Sequence, residues 1–137
     1  MDWEPLIAAA RAARSHSYSP YSGFPVGAAI LMEDGSIWAA ANVENCIPTL
    51  AICAERNAMS AAASAGLRHP QAVVVITSTD PPASPCGLCR QTLSEFADDL
   101  PILLVSADGP DSAREEVRLI DLLPRRFRLE PAPQGRT

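Results

Sequence analysis

The chain has 137 residues, of which 47% are hydrophobic, and a formal net charge of −5 at pH 7. This length suits one domain, and the acidic balance argues against a nucleic-acid partner. All 11 basic residues are arginines, which excludes a lysine Schiff base. No run of about 18 apolar residues could span a membrane, so we expect a cytoplasmic protein without a membrane partner. We interpret Arg125, Arg126 and Arg128 as a solvated face or a subunit contact.

Hydrophobic periodicity and turn signals predict an α/β domain. In chain order they indicate a helix over residues 3–15, a turn-rich loop over 18–25, a hairpin of strands over 26–32 and 36–42, a helix over 53–65, a strand over 72–77, a helix over 89–97, a strand over 101–106 and a weaker helix over 115–122. The hairpin turn is Asp34-Gly35, and Gly66 ends the second helix. This order predicts a single domain over 1–130, with a mixed sheet covered by helices, and a disordered tail over 131–137.

Two short motifs predict a metal site. Cys53-Ala54-Glu55-Arg56 and Pro85-Cys86-Gly87-Leu88-Cys89-Arg90 together offer three sulfur ligands. Zinc binds thiolates readily, and a site with three protein ligands leaves a fourth position open for water or substrate. Glu55 lies beside these ligands and suits a general acid and base. The motifs therefore predict a catalytic Zn²⁺ held by Cys53, Cys86 and Cys89.

Helix geometry restricts where this ion can lie. Cys53 and Glu55 are two residues apart, so they do not share one face of a helix. Both can point at one ion if it lies over the helix N-terminus, where the macrodipole also stabilises a thiolate. Pro85 before Cys86 suggests a second helix whose N-terminus faces the same ion.

Three thiolates on a divalent cation leave one net negative charge, which weakens the ion as a Lewis acid. Arg56, one turn after Cys53, is placed to donate hydrogen bonds to the ligand sulfurs and to offset that charge. The alternative interpretation is an ordinary arginine on the helix surface.

With these motifs in place, the sequence resembles the small zinc cytidine deaminases that act on free nucleosides. Segments that match this family in order are residues 18–29, 42–45, 53–56, 85–91 and 122–124 with Phe127. The resemblance implies a cytidine deaminase-like three-layer α/β/α sandwich with a mixed sheet and one Zn²⁺ per chain. It also implies a pyrimidine nucleoside as the small-molecule partner, and a homotetramer in which neighbouring subunits complete the active sites.

The same resemblance implies contacts to the base ring and the sugar. Phe24 would stack on the pyrimidine, although a core aromatic is the simpler interpretation. Asn42 and Glu44 match the pair that hydrogen-bonds the ribose hydroxyls, and a generic polar loop is the alternative. Phe127 matches a late aromatic at the base pocket, and would equally suit an anchor for the tail.

The base edge and the chemistry are also carried over from the resemblance. The Ala54 N–H and Glu55 would fix the carbonyl and ring nitrogen of the base, while the Ser84 carbonyl would meet its amino group. Glu55 would move protons from the attacking water to the ring nitrogen and to the departing ammonia. The expected reaction is hydrolytic deamination of cytidine or deoxycytidine to the uracil nucleoside, in pyrimidine salvage.

Residues 46–51, Cys-Ile-Pro-Thr-Leu-Ala, depart from the family pattern. Loss of a Tyr and a Gly and the gain of Pro48 change hydrogen bonding and backbone freedom in a loop that shapes the 5′ end of the ribose. One alternative is therefore a deaminase of a modified pyrimidine nucleoside or of a cytosine-containing antibiotic such as blasticidin S. A second alternative is a closed, non-catalytic structural zinc site in which Cys46 is the fourth ligand.

Overall fold

The computed structural model describes residues 1–107 and 113–130, so the tail predicted to be disordered lies outside the described residues. The elements are α1 (Glu4–Arg14), β1 (Gly27–Met32), β2 (Ile37–Ala41), a 3₁₀ turn (Pro48–Leu50), α2 (Ala54–Ser64), β3 (Pro70–Thr77), α3 (Gly87–Phe96), β4 (Pro101–Ser106), β5 (Arg114–Arg118) and α4 (Leu119–Leu122). Within the described ranges, no helix has the length and apolar character needed to cross a bilayer.

The five strands form one mixed sheet in the order β2-β1-β3-β4-β5. β3 and β4 are parallel, with Val75 opposite Leu104, and the other neighbouring pairs are antiparallel. Parallel neighbours require a crossover, which α3 supplies. The chain therefore leaves the carboxyl end of β3 and enters the N-terminus of α3 at one edge of the sheet, the usual place for a site in such folds.

Helices cover both faces of the sheet because residues along a strand alternate between its faces. On β3, Val73 and Val75 belong to a buried cluster with residues of α2 and α3. Val74 and Ile76 belong to a second cluster, which includes apolar residues of α1. The expected three-layer α/β/α sandwich is confirmed.

The helix α1 packs closely on the start of β1. A Cβ at Gly27 would lie 2.2 Å from the Ala10 carbonyl oxygen and 2.6 Å from the Arg14 Cβ, so only glycine fits between the two backbones. The Arg14 Nε also donates a hydrogen bond of 3.1 Å to the Pro25 carbonyl. Through these contacts α1 fixes the loop that leads into β1, and that loop borders the site described below.

The region before the C-terminus differs from the sequence prediction. A helix over 115–122 was expected, but this prediction is wrong for its first half, because Arg114–Arg118 forms β5 and only Leu119–Leu122 is helical. β5 pairs antiparallel with the edge of β4, where Val117 packs against the core. Pairing with an open edge and burial of Val117 outweigh the helix propensity of glutamate and arginine.

Candidate active site

The three cysteines of the motifs meet at the N-termini of two helices. Cys53 is the N-cap residue of α2, and Cys86 is the N-cap residue of α3, with Cys89 one turn later. All three sulfur atoms lie within 4.8 Å of one another. The predicted arrangement over two helix N-termini is confirmed, although α3 begins two residues earlier than expected, at Gly87.

The sulfur geometry fits zinc. The Cys53 Sγ lies 3.5 Å from the Cys86 Sγ, which lies 3.4 Å from the Cys89 Sγ. Zn–S bonds of about 2.3 Å at tetrahedral angles place sulfur atoms about 3.8 Å apart. The Cys86 sulfur therefore needs to move only a few tenths of an ångström from each of the other two for the three to hold one ion. A fourth tetrahedral position stays free of protein ligands from this cluster.

The pKa values of Cys53 and Cys89 are shifted in opposite directions. Hydrogen bonding from Cys89 lowers the pKa of Cys53, with further contributions from Cys86 and from the charge and hydrogen bonding of Arg56. The same contact with Cys53, together with burial, raises the pKa of Cys89. Of these two thiols, Cys53 thus ionises more readily. The role of Arg56 beside a bound zinc ion stays a prediction.

Glu55 occupies the first turn of α2 and is only 4% exposed. Burial raises the pKa of this carboxyl, and the neighbouring charge of Cys53 adds to the rise. Such surroundings favour the protonated carboxyl more than water does, which suits a group that must both hold and release a proton.

A cavity of about 440 Å³ opens beside the cysteines and Glu55. This volume lies within the usual range for small-molecule sites. Predicted site residues that line it are Phe24, Asn42, Glu44, Cys53, Ala54, Glu55, Ser84 and Cys86. The fold thus brings eight of the eleven predicted site residues around one cavity.

Asn42 uses its side chain to hold the loop before β1. Its Nδ2 donates to the Phe24 carbonyl at 2.9 Å, and its Oδ1 accepts from the Val26 N–H at 2.9 Å and from the Ser17 hydroxyl at 2.5 Å. The bonds to Phe24 and Val26 fix the backbone on both sides of Pro25. One Nδ2 hydrogen remains to meet a ligand.

Glu44 is half-buried and lines the same cavity. Its Oε1 accepts the backbone N–H groups of Tyr21 and Ser22 at 3.0 and 3.1 Å, and the Ser22 hydroxyl donates to its Oε2. The hydrogen bond from the Ser22 hydroxyl lowers the pKa of Glu44. The carboxylate is therefore held ionised and in one orientation at the cavity wall.

The other three of the eleven are Cys89, which belongs to the sulfur cluster, Arg56 and Phe127. Phe127, and Cys46 from the closed-site alternative, border separate surface depressions. Phe127 is 72% exposed and borders a separate surface depression with Arg126 and Leu129. Cys46 lines another depression with Tyr21 and Pro48 and is outside the sulfur cluster. Among the described residues the cluster therefore contains three cysteines, which disfavours the closed four-cysteine alternative.

The cavity also contains residues that the sequence prediction missed. Val75 and Thr77 line it from the carboxyl end of β3, and Ser22 and Ala83 line it from loops. The Thr77 hydroxyl accepts the Ala83 N–H at 3.2 Å and so shapes the loop that leads to Cys86. The signal for β3 was present in its β-branched run, whose carboxyl end is where such folds bind ligands.

Arg90 is hydrogen-bonded to the loop that leads into Cys86, which we call the metal loop. Its Nε donates to the Pro85 carbonyl and one terminal nitrogen donates to the Leu122 carbonyl at the end of α4, both at 2.9 Å. The residue before Cys86 is thereby tied to the C-terminal helix.

Comparisons with known proteins agree with this geometry. A family model described as "Cytidine and deoxycytidylate deaminase zinc-binding region" matches residues 2–103. A cytidine deaminase of Sporosarcina psychrophila is 44% identical over 131 residues, covering 95% of this chain and 94% of that protein. One from Halalkalibacterium halodurans is 42% identical over 131 residues, covering 95% and 97%.

The same likeness holds at the level of structure. The crystal structure of cytidine deaminase from Burkholderia pseudomallei superposes with a TM-score of 0.86 and 40% identity, covering 93% of this chain and 100% of that one. Its fold and the matched zinc-binding region agree with the three-sulfur site at Cys53, Cys86 and Cys89. From the two cysteine motifs, the sandwich and these matches, the chain belongs to the zinc-binding cytidine and deoxycytidylate deaminase family.

Proposed function

We propose that this protein is a cytidine deaminase that hydrolyses cytidine and deoxycytidine to uridine and deoxyuridine, with release of ammonia. The observation that carries the proposal is the buried Glu55 carboxyl beside a three-cysteine cluster, on one wall of a cavity of nucleoside size. Relatives that match nearly the whole chain bear the name cytidine deaminase. A pyrimidine nucleoside is therefore the substrate class.

Zinc held by Cys53, Cys86 and Cys89 supplies, when bound, the Lewis acidity that activates a water molecule as a nucleophile. Glu55 takes a proton from that water and delivers it to N3 of the cytosine ring. It then passes the second proton to the amino group, so that water and cytidine become uridine and ammonia. Burial of Glu55 supports this role, because the raised pKa favours the protonated form that donates to the ring nitrogen.

The remaining predicted residues bind and orient the nucleoside. Phe24 packs on the pyrimidine face, and Asn42 and Glu44 hydrogen-bond the sugar hydroxyls. The backbone N–H of Ala54 and the carbonyl of Ser84 read the base edge. Support for these roles comes from the cavity that all five residues line.

We also propose a cytoplasmic homotetramer that serves pyrimidine salvage. Free thiols that ligate zinc suit a reducing compartment. Exposed apolar side chains, including Ile47, Leu50 and Leu88, would be covered by neighbouring subunits. Phe127, which lies outside the cavity of its own chain, would then be free to approach that of a neighbour. Light scattering checks the assembly: a mass of four chains is expected, and a monomer would contradict it.

The activity is tested by the fall in ultraviolet absorbance when the zinc-loaded protein is mixed with cytidine. Glu55→Gln keeps the shape of the side chain but cannot accept a proton, so we expect a kcat about 10³-fold lower. Glu95→Gln, which removes an exposed carboxylate from α3, is the matched control and should leave the rate unchanged. Equal rates for wild type and Glu55→Gln would refute the proposed mechanism.

The altered loop over residues 46–51 makes the choice of substrate worth measuring in the same assay. We expect turnover of cytidine and deoxycytidine to exceed that of blasticidin S. A preference for the antibiotic, with no turnover of either nucleoside, would replace the proposed substrate while retaining the chemistry.

A further inference from the structure

The turn that precedes Phe24 contains one hydroxyl with two partners in the site. The Ser22 Oγ donates to the Oε2 of Glu44 and accepts the backbone N–H of Phe24 at 3.0 Å. Ser22 itself lines the cavity with both of these residues. One hydroxyl therefore links the carboxylate on the sugar side of the proposed site to the backbone of the residue on its base side.

The Ser22 hydroxyl is one of three hydrogen-bond donors that this turn directs at the Glu44 carboxylate. The Tyr21 and Ser22 N–H groups occupy the Oε1 of Glu44, and the Ser22 hydroxyl occupies one lone pair of Oε2. The turn is closed by a hydrogen bond of 2.9 Å from the Gly23 N–H to the Ser19 carbonyl, with Gly23 at φ +64°. Because glycine adopts that backbone conformation without strain, the turn can bring all three donors to one carboxylate.

Without the Ser22 hydroxyl, Oε2 would have no donor from this turn and the carboxylate could rotate about the two backbone bonds to Oε1. A carboxylate that must accept a sugar hydroxyl binds best when it is already oriented. Hydrogen bonds to charged groups are also stronger than neutral ones.

We propose that Ser22 is a positioning residue, whose hydroxyl orients Glu44 toward the sugar of the substrate and couples that carboxylate to the Phe24 backbone. This inference rests on the proposed nucleoside deaminase function. Ser22 touches no reacting atom in this role and acts through Glu44.

The test compares Ser22→Ala with wild type on two substrates, cytidine and 2′,3′-dideoxycytidine. We expect kcat/KM for cytidine to fall about fivefold, the ratio that corresponds to roughly 1 kcal/mol for one hydrogen bond, mainly through KM. By contrast, kcat/KM for 2′,3′-dideoxycytidine should change by less than about twofold, since its sugar lacks the hydroxyls that Glu44 would bind. Ser22→Thr, which keeps the hydroxyl, should restore the cytidine rate.

The matched control is Ser19→Ala in the same loop, since the Ser19 hydroxyl meets the Ser17 hydroxyl rather than Glu44. A double-mutant cycle with Glu44→Gln gives a second measurement: once Glu44 is changed, adding Ser22→Ala should have little further effect. An equal loss on both substrates, or fully additive losses in the cycle, would show a general structural role and overturn the proposal.

A spectroscopic measurement keeps this inference separate from the proposed activity. The ¹³C chemical shift of the Glu44 carboxylate should move in Ser22→Ala and return in Ser22→Thr, whether or not the protein turns over cytidine. An unmoved shift would refute the contact on which the inference depends. A wild-type protein inactive on cytidine would refute the proposed function instead.

Discussion

At the scale of single residues, the site shifts the pKa values of two nearby groups in opposite directions. Cys53 has a lowered pKa because Cys89 and Cys86 hydrogen-bond to it and Arg56 lies nearby. Glu55, two residues later, has a raised pKa because it is buried. Opposite shifts in neighbouring groups assign them different tasks: the sulfur is ready to ligate a cation, and the carboxyl is ready to carry a proton.

The chemistry-bearing residues were predictable from the sequence because their spacing allows few geometries. Cys53, Cys86 and Cys89 could hold one ion with Glu55 beside it only over two helix N-termini, and the three sulfur atoms gather there. The hydrogen bonds of Asn42 to the loop around Phe24 were not predictable, since they join residues 18 positions apart through a turn that no periodicity describes. The position of Ser22 between Glu44 and Phe24 was missed for the same reason.

At the scale of elements, Arg90 connects the metal loop to α4. We predict that this connection helps to hold the zinc ligands in place. Arg90→Met keeps the apolar stem but removes the donors to the Pro85 and Leu122 carbonyls. Groups that orient metal ligands typically change metal affinity by about 10- to 100-fold. We expect zinc to transfer from the variant to a coloured chelator at least about tenfold faster than from wild type.

Arg118→Met is the matched control for this measurement. It removes an arginine whose side chain pairs with Asp99 at 2.9 Å rather than with the Pro85 and Leu122 carbonyls. If Arg90→Met and Arg118→Met released zinc at the wild-type rate while remaining folded, Arg90 would have no part in holding the ligands.

The elements themselves were predicted unevenly, for physical reasons. β1, β3 and β4 are continuous apolar runs whose burial on both faces leaves little choice of structure. β5 has four charged residues among five and becomes a strand only because the edge of β4 offers it a partner. Local sequence does not report such a partner, so the prediction followed helix propensity and was wrong.

At the scale of the whole molecule, the order of elements predicts the sandwich. It does not predict which other copies of the chain the molecule contacts. Apolar residues such as Ile47, Leu50 and Leu88 are more than half exposed in the single chain. Exposed apolar residues favour association, but the sequence of one chain does not show which copy covers them. The homotetramer therefore stays a prediction that rests on the resemblance and on this exposure.

The central claim is that one zinc ion, held by three cysteines and open to substrate, makes the molecule a nucleoside deaminase. The most direct test is to add zinc stepwise to the metal-free protein and to measure cytidine turnover against zinc bound per chain, in wild type and in Cys46→Ser. The account predicts that turnover rises in proportion to zinc and levels off at one ion per chain in both proteins, because Cys46 lies outside the sulfur cluster. Zinc that binds the folded wild type without turnover, and is lost in Cys46→Ser, would contradict it.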